Sequence, residues 1–239
     1  MKLNKVFLLL ACSLLWLNAA IIKIGTNANF PPFEYIDDSL KIVGFDIDLI
    51  DEFAKRANLE YEIVNIGFDA LIPALKTGKI DAAISGMSAT EDRKRAVDFS
   101  DPYYETQTLY IKKSDNNSIN SKDDVKGKKI GVQIGVVQEI AARELSKNVA
   151  PTKDPIASIM ALKSSKVDVV MIDSSVGYGY LKNNSDLVGF YEESDGSDGF
   201  AIAFDKGKKQ DLIEKFNSVL KEMKEDGTYD LLLKKYNLK

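Results

Sequence analysis

The 239-residue sequence has no histidine, one cysteine and one tryptophan. Without histidine the commonest general base and the commonest metal ligand are gone. A Ser–His or Cys–His hydrolase and a His/Cys zinc site are therefore excluded. With a single cysteine there is no disulfide within the chain, so stability must come from the core. Basic residues do not dominate: 32 Lys and Arg stand against 36 Asp and Glu, a net charge of −4. No basic stripe is present, which argues against a nucleic-acid partner. Long apolar runs are scarce too. The one that stands out, Val6–Leu17, follows Lys2 and Lys5, and this basic-then-apolar order reads as a signal peptide over residues 1–20. The run is too short to cross a bilayer comfortably. Cleavage after Ala19 or Ala20 would remove both Cys12 and Trp16, and a periplasmic protein is expected. Leu9-Leu10-Ala11-Cys12 is a weak lipoprotein-type box that would instead leave Cys12 as a lipid anchor, although the apolar residues continue past it.

Strands and helices alternate along the rest of the chain. Ile21–Thr26 reads as a strand, Phe30-Pro31-Pro32-Phe33 as a rigid loop, and the residues after Gly44 as an amphipathic helix with Ile47, Ile50, Phe53, Ala54 and Ala57 on one face. Then come a strand over Tyr61–Ile66, a helix over Phe68–Lys76 and a strand over Ile80–Ser85. A second cycle gives a strand over Lys129–Gln133, a helix over Val136–Ser146 and a strand over Val167–Ile172. Helices follow from Gln210 to Lys224 and after Gly227. This alternation predicts βαβ units and mostly parallel sheets. A weak repeat supports two similar halves: Ala74–Ile84 aligns with Ala161–Met171, and Lys23-Ile24-Gly25 with Lys129-Ile130-Gly131.

In open α/β sheets ligands bind at the carboxyl ends of the strands. Those ends carry Asn27–Phe33, Phe68, Ser85–Ser88, Gln133–Gln138 and Asp173. Ser88-x-x-Glu91 has the form of a capping box, which would start a helix just after the Gly86 turn and place Arg93 in its first turn. Turn N–H groups, Ser85, Ser88 and Arg93 make a carboxylate receptor. Asp173 supplies an acid, or merely caps the helix after it. Phe30 and Phe68 are ligand walls or core residues. A zwitterion needs this combination of cation, N–H donors and anion.

The motifs Gly25-Thr26-Asn27-Ala28-Asn29-Phe30-Pro31-Pro32-Phe33-Glu34-Tyr35, Gly44-Phe45-Asp46-Ile47-Asp48-Leu49, Phe68-Asp69-Ala70-Leu71-Ile72-Pro73 and Asp98-Phe99-Ser100-Asp101-Pro102-Tyr103-Tyr104 closely resemble those of the bacterial extracellular solute-binding proteins of the polar amino-acid class, which serve ABC importers. Gly131-Val132-Gln133-Ile134-Gly135 and Asp226-Gly227-Thr228-Tyr229 extend the resemblance to nearly the whole chain. It implies an α/β periplasmic-binding-protein fold. Each of its two lobes would be a mostly parallel sheet flanked by helices, with a two-segment hinge near Glu105–Ile111 and Ser197–Phe204. Lobe one is expected over 21–109 plus 203–239 and lobe two over 110–202. By the same resemblance Arg93 with Ser88 would hold an α-carboxylate and Asp173 an α-ammonium. Ser85 and Gly86 would add polar contacts, Phe30 and Phe68 would sandwich the side chain, and Gln133 and Asn27 would sit near its far end. Glu34, Met87, Val136 and Val137 complete the expected ligand-binding set. Relatives often carry Gly-Thr where this chain has Gly135-Val136-Val137, so a hydroxyl contact is missing there and backbone N–H groups must serve.

The expected function is capture of a free polar or basic amino acid (arginine, lysine, histidine or glutamine) and its delivery by a monomer to an inner-membrane ABC permease. No cofactor, metal or catalytic residue is expected. The competing expectation is a dehydratase of the same fold, in which Asp173 or Glu34 would act as the acid.

Overall fold

A computed structural model describes residues 21–238; the expected signal peptide and Cys12 lie outside the described residues. Two five-stranded sheets share one plan. The first runs in the order Tyr61–Asn65, Ile22–Thr26, Ala82–Ala83, Ala203–Asp205, Val97–Phe99. Its first three strands are parallel, and Ala203–Asp205 is antiparallel to both of its neighbours. The second runs Val149–Thr152, Ile130–Gln133, Val169–Asp173, Gln107–Lys113, Leu187–Ser194. Again three parallel strands are followed by one, Gln107–Lys113, antiparallel to both neighbours. This is the two-lobe α/β architecture. The chain crosses between the sheets twice, and each crossing meets an antiparallel strand. A small sheet of Asn29–Phe30, Glu34–Ile36 and Ile42–Val43 projects beyond the first strand.

The internal repeat is physical. Ile24 and Gly25 pair with Ala82 and Ala83, and Ile130 and Gly131 pair with Val169 and Val170, in the register the alignment gives. The backbone N–H of Lys23 donates to the Asp81 carboxylate at 3.0 Å, and that of Lys129 to the Asp168 carboxylate at 2.8 Å. The helices before these strands end alike: Gly78 and Ser165 take left-handed conformations with φ of 70° and 57°. Lys79 N–H then bonds the Ala74 carbonyl, and Lys166 N–H that of Ala161. Such a reversal satisfies carbonyls that the last helical turn leaves unpaired.

Several local expectations change. Of the Ile80–Ser85 strand, Ala82–Ala83 pair in the sheet. Phe68–Ala70 is a 3-10 turn that leads into a helix over Leu71–Lys76. Ser88 caps no helix. Thr90 does, accepting from the Arg93 N–H at 3.2 Å at the start of the helix Glu91–Ala96. Thr90 is one residue from the helical run and Ser88 is three, and proximity decides between the two hydroxyls. The segment Glu105–Ile111, expected near the hinge, runs into the strand Gln107–Lys113, and Val149–Thr152 and Leu187–Ser194 are further strands.

The helix Phe45–Ala57 buries Phe45, Leu49, Ile50, Phe53 and Ala54 against the first sheet and packs on Gln210–Glu225, where Phe53 meets Phe216 edge-on at 5.2 Å. Asp46 and Asp48 in its first turn and Lys55 and Arg56 in its last complement the helix dipole. Its entry depends on Gly44, at φ 134°. The next two N–H groups bond the Pro32 and Phe33 carbonyls, both at 2.9 Å. A Cβ on Gly44 would sit 2.1 Å from the Phe33 carbonyl oxygen, whereas one on Gly78 would meet no atom within 4 Å. Gly44→Ala is therefore expected to destabilise by at least ~3 kcal/mol. Gly78→Ala should cost only about 1 kcal/mol, the penalty of the left-handed conformation itself. Urea unfolding of the two variants checks the ordering.

Candidate ligand-binding site

The carboxyl ends of the parallel strands of both sheets face one another across a narrow cleft. The first sheet's side contributes Asn27, Phe30, Glu34, Phe68, Ser85, Gly86, Ser88 and Arg93. The second contributes Gln133, Val136, Val137 and Asp173. Met87 is not among the lining residues. It is buried, packs in the cluster with Phe68, Leu71 and Leu75, and uses its carbonyl to accept from Ala201 N–H. The Gly86 turn, at φ 49°, directs the Met87 side chain into this cluster and away from the cleft.

Asp173 ends the strand Val169–Asp173 and starts the helix Ser174–Leu181. It is both cap and candidate ligand group. Oδ1 accepts from the N–H groups of Ser175 and Val176 at 3.0 and 3.3 Å, while the buried Oδ2 has no partner. Burial raises its pKa to about 8, against the lowering effect of the two capping N–H groups. An ammonium at Oδ2 would supply the missing partner and favour the ionised form.

Arg93 lies at the other end of the cleft's chemistry. Its guanidinium donates to the Ser88 carbonyl at 2.8 Å and to the Gly135 carbonyl, on the second lobe, at 2.9 Å. Its carbon centre sits 5.3 Å from the centre of the Phe68 ring, within cation–π range. Burial lowers its pKa to about 10, so it stays charged at neutral pH. Val136 is the extended residue preceding the helix Val137–Leu145. The Glu139 N–H bonds the Val136 carbonyl at 3.1 Å, and the N–H groups of Val137 and Gln138 have no carbonyl within the helix to bond. Arg93 and these N–H groups can hold a carboxylate between them. The Ser88 hydroxyl, expected to join them, instead donates to Asp195 at 2.8 Å.

Phe30 packs edge-on to Phe200, with ring centres 6.2 Å apart, and both it and Phe68 line the cleft. A Cβ on Gly86 would approach the Phe30 ring to 2.7 Å, so glycine there lets the turn pass under the ring. The Asn27 N–H donates to Ser85 Oγ at 3.0 Å, and the Ser85 hydroxyl donates to Glu34 at 2.7 Å. Gln133 reaches from the second lobe to the Asn27 side-chain oxygen at 3.2 Å. Two lining residues, Gln138 and Phe200, were not expected. Gln138 lies within the Gln133–Gln138 stretch at a strand end, so position could have found it. Phe200 carried no signal, because its ring reaches the cleft only once Gly199 and the isolated pairings of Phe200 with Ser88 and Tyr104 place it there.

The model of bacterial extracellular solute-binding proteins, family 3, matches residues 22–239. The chain belongs to this family. It is 48% identical over 218 residues to a probable histidine-binding protein of Campylobacter jejuni, covering 91% of this chain and 85% of that protein. It is 40% identical over 223 residues to the arginine-binding extracellular protein ArtP of Bacillus subtilis, covering 89% and 84%. The structure of an ancestral arginine-binding protein bound to arginine is similar with a TM-score of 0.86 and 41% identity, covering 90% of this chain and 97% of that one. The ancestral protein bound to glutamine gives 0.85 and 41%, with the same coverage. Among the described residues of this family member, no helix is long and apolar enough to cross a membrane.

The raised Asp173 carboxyl makes the ligand-free stability pH-dependent. Between the ordinary aspartate range and about pH 8 the folded state holds a proton that the unfolded state has released. That contribution is complete at the acid end and is lost as pH rises through the folded value. Carboxylates held low, such as Asp98 beside Lys206, act in the opposite sense but at lower pH. Urea midpoints of the ligand-free protein are expected to fall from pH 5 to pH 8, and Asp173→Asn should flatten part of that fall.

Proposed function

We propose that this protein captures one free amino acid outside the cytoplasmic membrane and presents it, by lobe closure, to an ABC permease. The observation that carries this reading is the placement, in one cleft, of a guanidinium with free helix N–H groups and of an aspartate with one unpartnered oxygen. An α-amino acid matches both. Buried charges are tolerated only when paired, and a zwitterion supplies both partners at once.

Among polar and basic amino acids we favour one with a cationic side chain. Glu34 lines the same cleft, buried and with an unpartnered oxygen, and the named relatives include histidine- and arginine-binding proteins. Glutamine remains in the set, since a similar protein has been seen bound to it. Gln133 and Asn27, already bonded across the cleft, lie on the side-chain route.

The strand pairings support drawing the first crossing at 104–106, ahead of the expected division at 109/110, because Gln107–Lys113 lies wholly in the second sheet. The pairing of Phe200 with Ser88 and Tyr104 supports a second crossing at 195–199 rather than 202/203. The protein acts as a monomer in this reading. A cleft dehydratase would use the same raised Asp173 carboxyl. Recovery of the bound amino acid unchanged, and no turnover of prephenate-like acids, separates binding from catalysis.

Thermal unfolding of protein refolded to remove carried-over ligand, scanned against the twenty amino acids, is expected to show a rise in midpoint for one or a few basic or polar ones. Asp173→Asn and Arg93→Ala are each expected to weaken binding by about 2–5 kcal/mol, because each leaves a charged end of the ligand unpaired in the closed cleft. Titration calorimetry in which either variant matches the parent would reject the assignment of that residue.

A further inference from the structure

Glu34 and Asp46 are both completely buried. Glu34 opens the short strand Glu34–Ile36, and Asp46 lies in the first turn of the helix Phe45–Ala57. The Gly44 turn brings them together, and their carboxyl groups lie within hydrogen-bonding reach of one another. Each has one oxygen supplied with donors. Glu34 Oε1 accepts from the Ser85 hydroxyl at 2.7 Å. Asp46 Oδ2 accepts from Gly86 N–H at 2.9 Å and from the Tyr103 hydroxyl at 2.8 Å. Each has one oxygen with none, Glu34 Oε2 and Asp46 Oδ1. Two ionised carboxylates cannot sit in contact in a buried site, but one proton shared between the two groups relieves the repulsion and supplies a donor where each lacks one.

The surroundings offer no other neutralising charge. Facing the pair are Ser85 and Gly86 from the turn, Tyr103 and Tyr229 beneath Asp46, and Asp173 across the cleft. Among the described residues no lysine or arginine donates to either carboxyl group, and the cleft's guanidinium, Arg93, is bonded to Ser88 and Gly135. Burial raises the Glu34 carboxyl well above its ordinary value, with Asp46 adding to the rise, and burial brings Asp46 to about 6. Tyr103 is pushed up too and remains a donor.

We propose that Glu34 and Asp46 form a proton-sharing acid pair beneath the cleft, with Asp46 as a specificity-determining residue: a cationic ligand side chain displaces the shared proton to solvent, and a neutral one leaves it in place. The step balances. A protonated pair with one negative charge becomes two carboxylates, the ligand keeps its positive charge, and one proton goes to buffer. Asp46 acts through Glu34 and does not touch the ligand; its Gly86 and Tyr103 donors let it carry full charge once the guanidinium or ammonium faces Glu34. This inference rests on the proposed amino-acid binding and adds to it the choice by charge.

Arginine and citrulline differ in side-chain charge at nearly equal shape, and both bring the α-ammonium that faces Asp173. Any proton lost from Asp173 is therefore common to the two. Calorimetry at pH 7 in phosphate and in Tris, whose ionisation heats differ, counts protons released per ligand bound. Arginine is expected to release up to about one proton more than citrulline, and its affinity to rise with pH relative to citrulline's by up to about tenfold per unit. Glu34→Gln, which holds no such proton, should bring the two ligands to equal counts. It also gives the subtraction with arginine alone if citrulline binds too weakly. Equal counts in the parent, or an unchanged arginine count in Glu34→Gln, would overturn the acid pair while leaving amino-acid binding intact. No heat and no thermal stabilisation with any amino acid would overturn both.

Discussion

Charge imbalance around a small closed cleft governs this molecule. Three buried carboxyl groups, those of Glu34, Asp46 and Asp173, stand against one guanidinium, Arg93. Uncompensated charge in such a place costs several kcal/mol per ion. The polar architecture follows from that cost. Asp173 spends one oxygen on a helix end and keeps the other buried and bare. Glu34 and Asp46 lean on each other. Arg93 finds carbonyls on both lobes and an aromatic face. The site is consistent only when a proton or a ligand cation completes it, which ties its occupancy to its charge state.

The contacts that close the cleft are few and polar. Arg93 to the Gly135 carbonyl and Gln133 to Asn27 join the two sides beside the cavity, and Ser88 bonds Asp195 in the crossing segment. A ligand would therefore enter a hydrogen-bond network that already bridges the lobes, and each contact it adds to both sides shifts the population toward closure. Apolar packing also crosses the molecule, since one cluster runs from Phe204 and Phe216 through Phe33 and Phe200 to Leu109 and Ile172. Continuity there keeps the two sheets in a defined relation while the polar contacts vary.

Much of this was legible in the residues. Periodicity located the long helices, because Phe45–Ala57 and Gln210–Glu225 carry a clear apolar stripe. Strand ends located the cleft, because parallel sheets put loop chemistry at one edge. The failures were local competitions. Two hydroxyls, Ser88 and Thr90, compete to cap one short helix, and the spacing motif chose the wrong one. No strand was read over Gln107–Lys113, because the pairings that make it one are with Val169–Asp173 and Leu187–Ser194, far away in the chain. Met87 shares its neighbours' position in sequence but not their direction. Phe200 depends on contacts over a hundred residues apart, between Ser88 and itself, which no window of sequence contains.

The exchange of strands between the sheets bears on how the chain is made. The second sheet is built from Gln107 through Ser194 without interruption. The first lacks the strand between Ala82–Ala83 and Val97–Phe99 until Ala203–Asp205 arrives, and the helix that covers Phe53 comes later still. A chain emerging amino end first can thus complete its middle before its beginning. The early half waits, unfinished, for the last forty or so residues, and its apolar faces stay open to wrong partners for as long as that wait lasts.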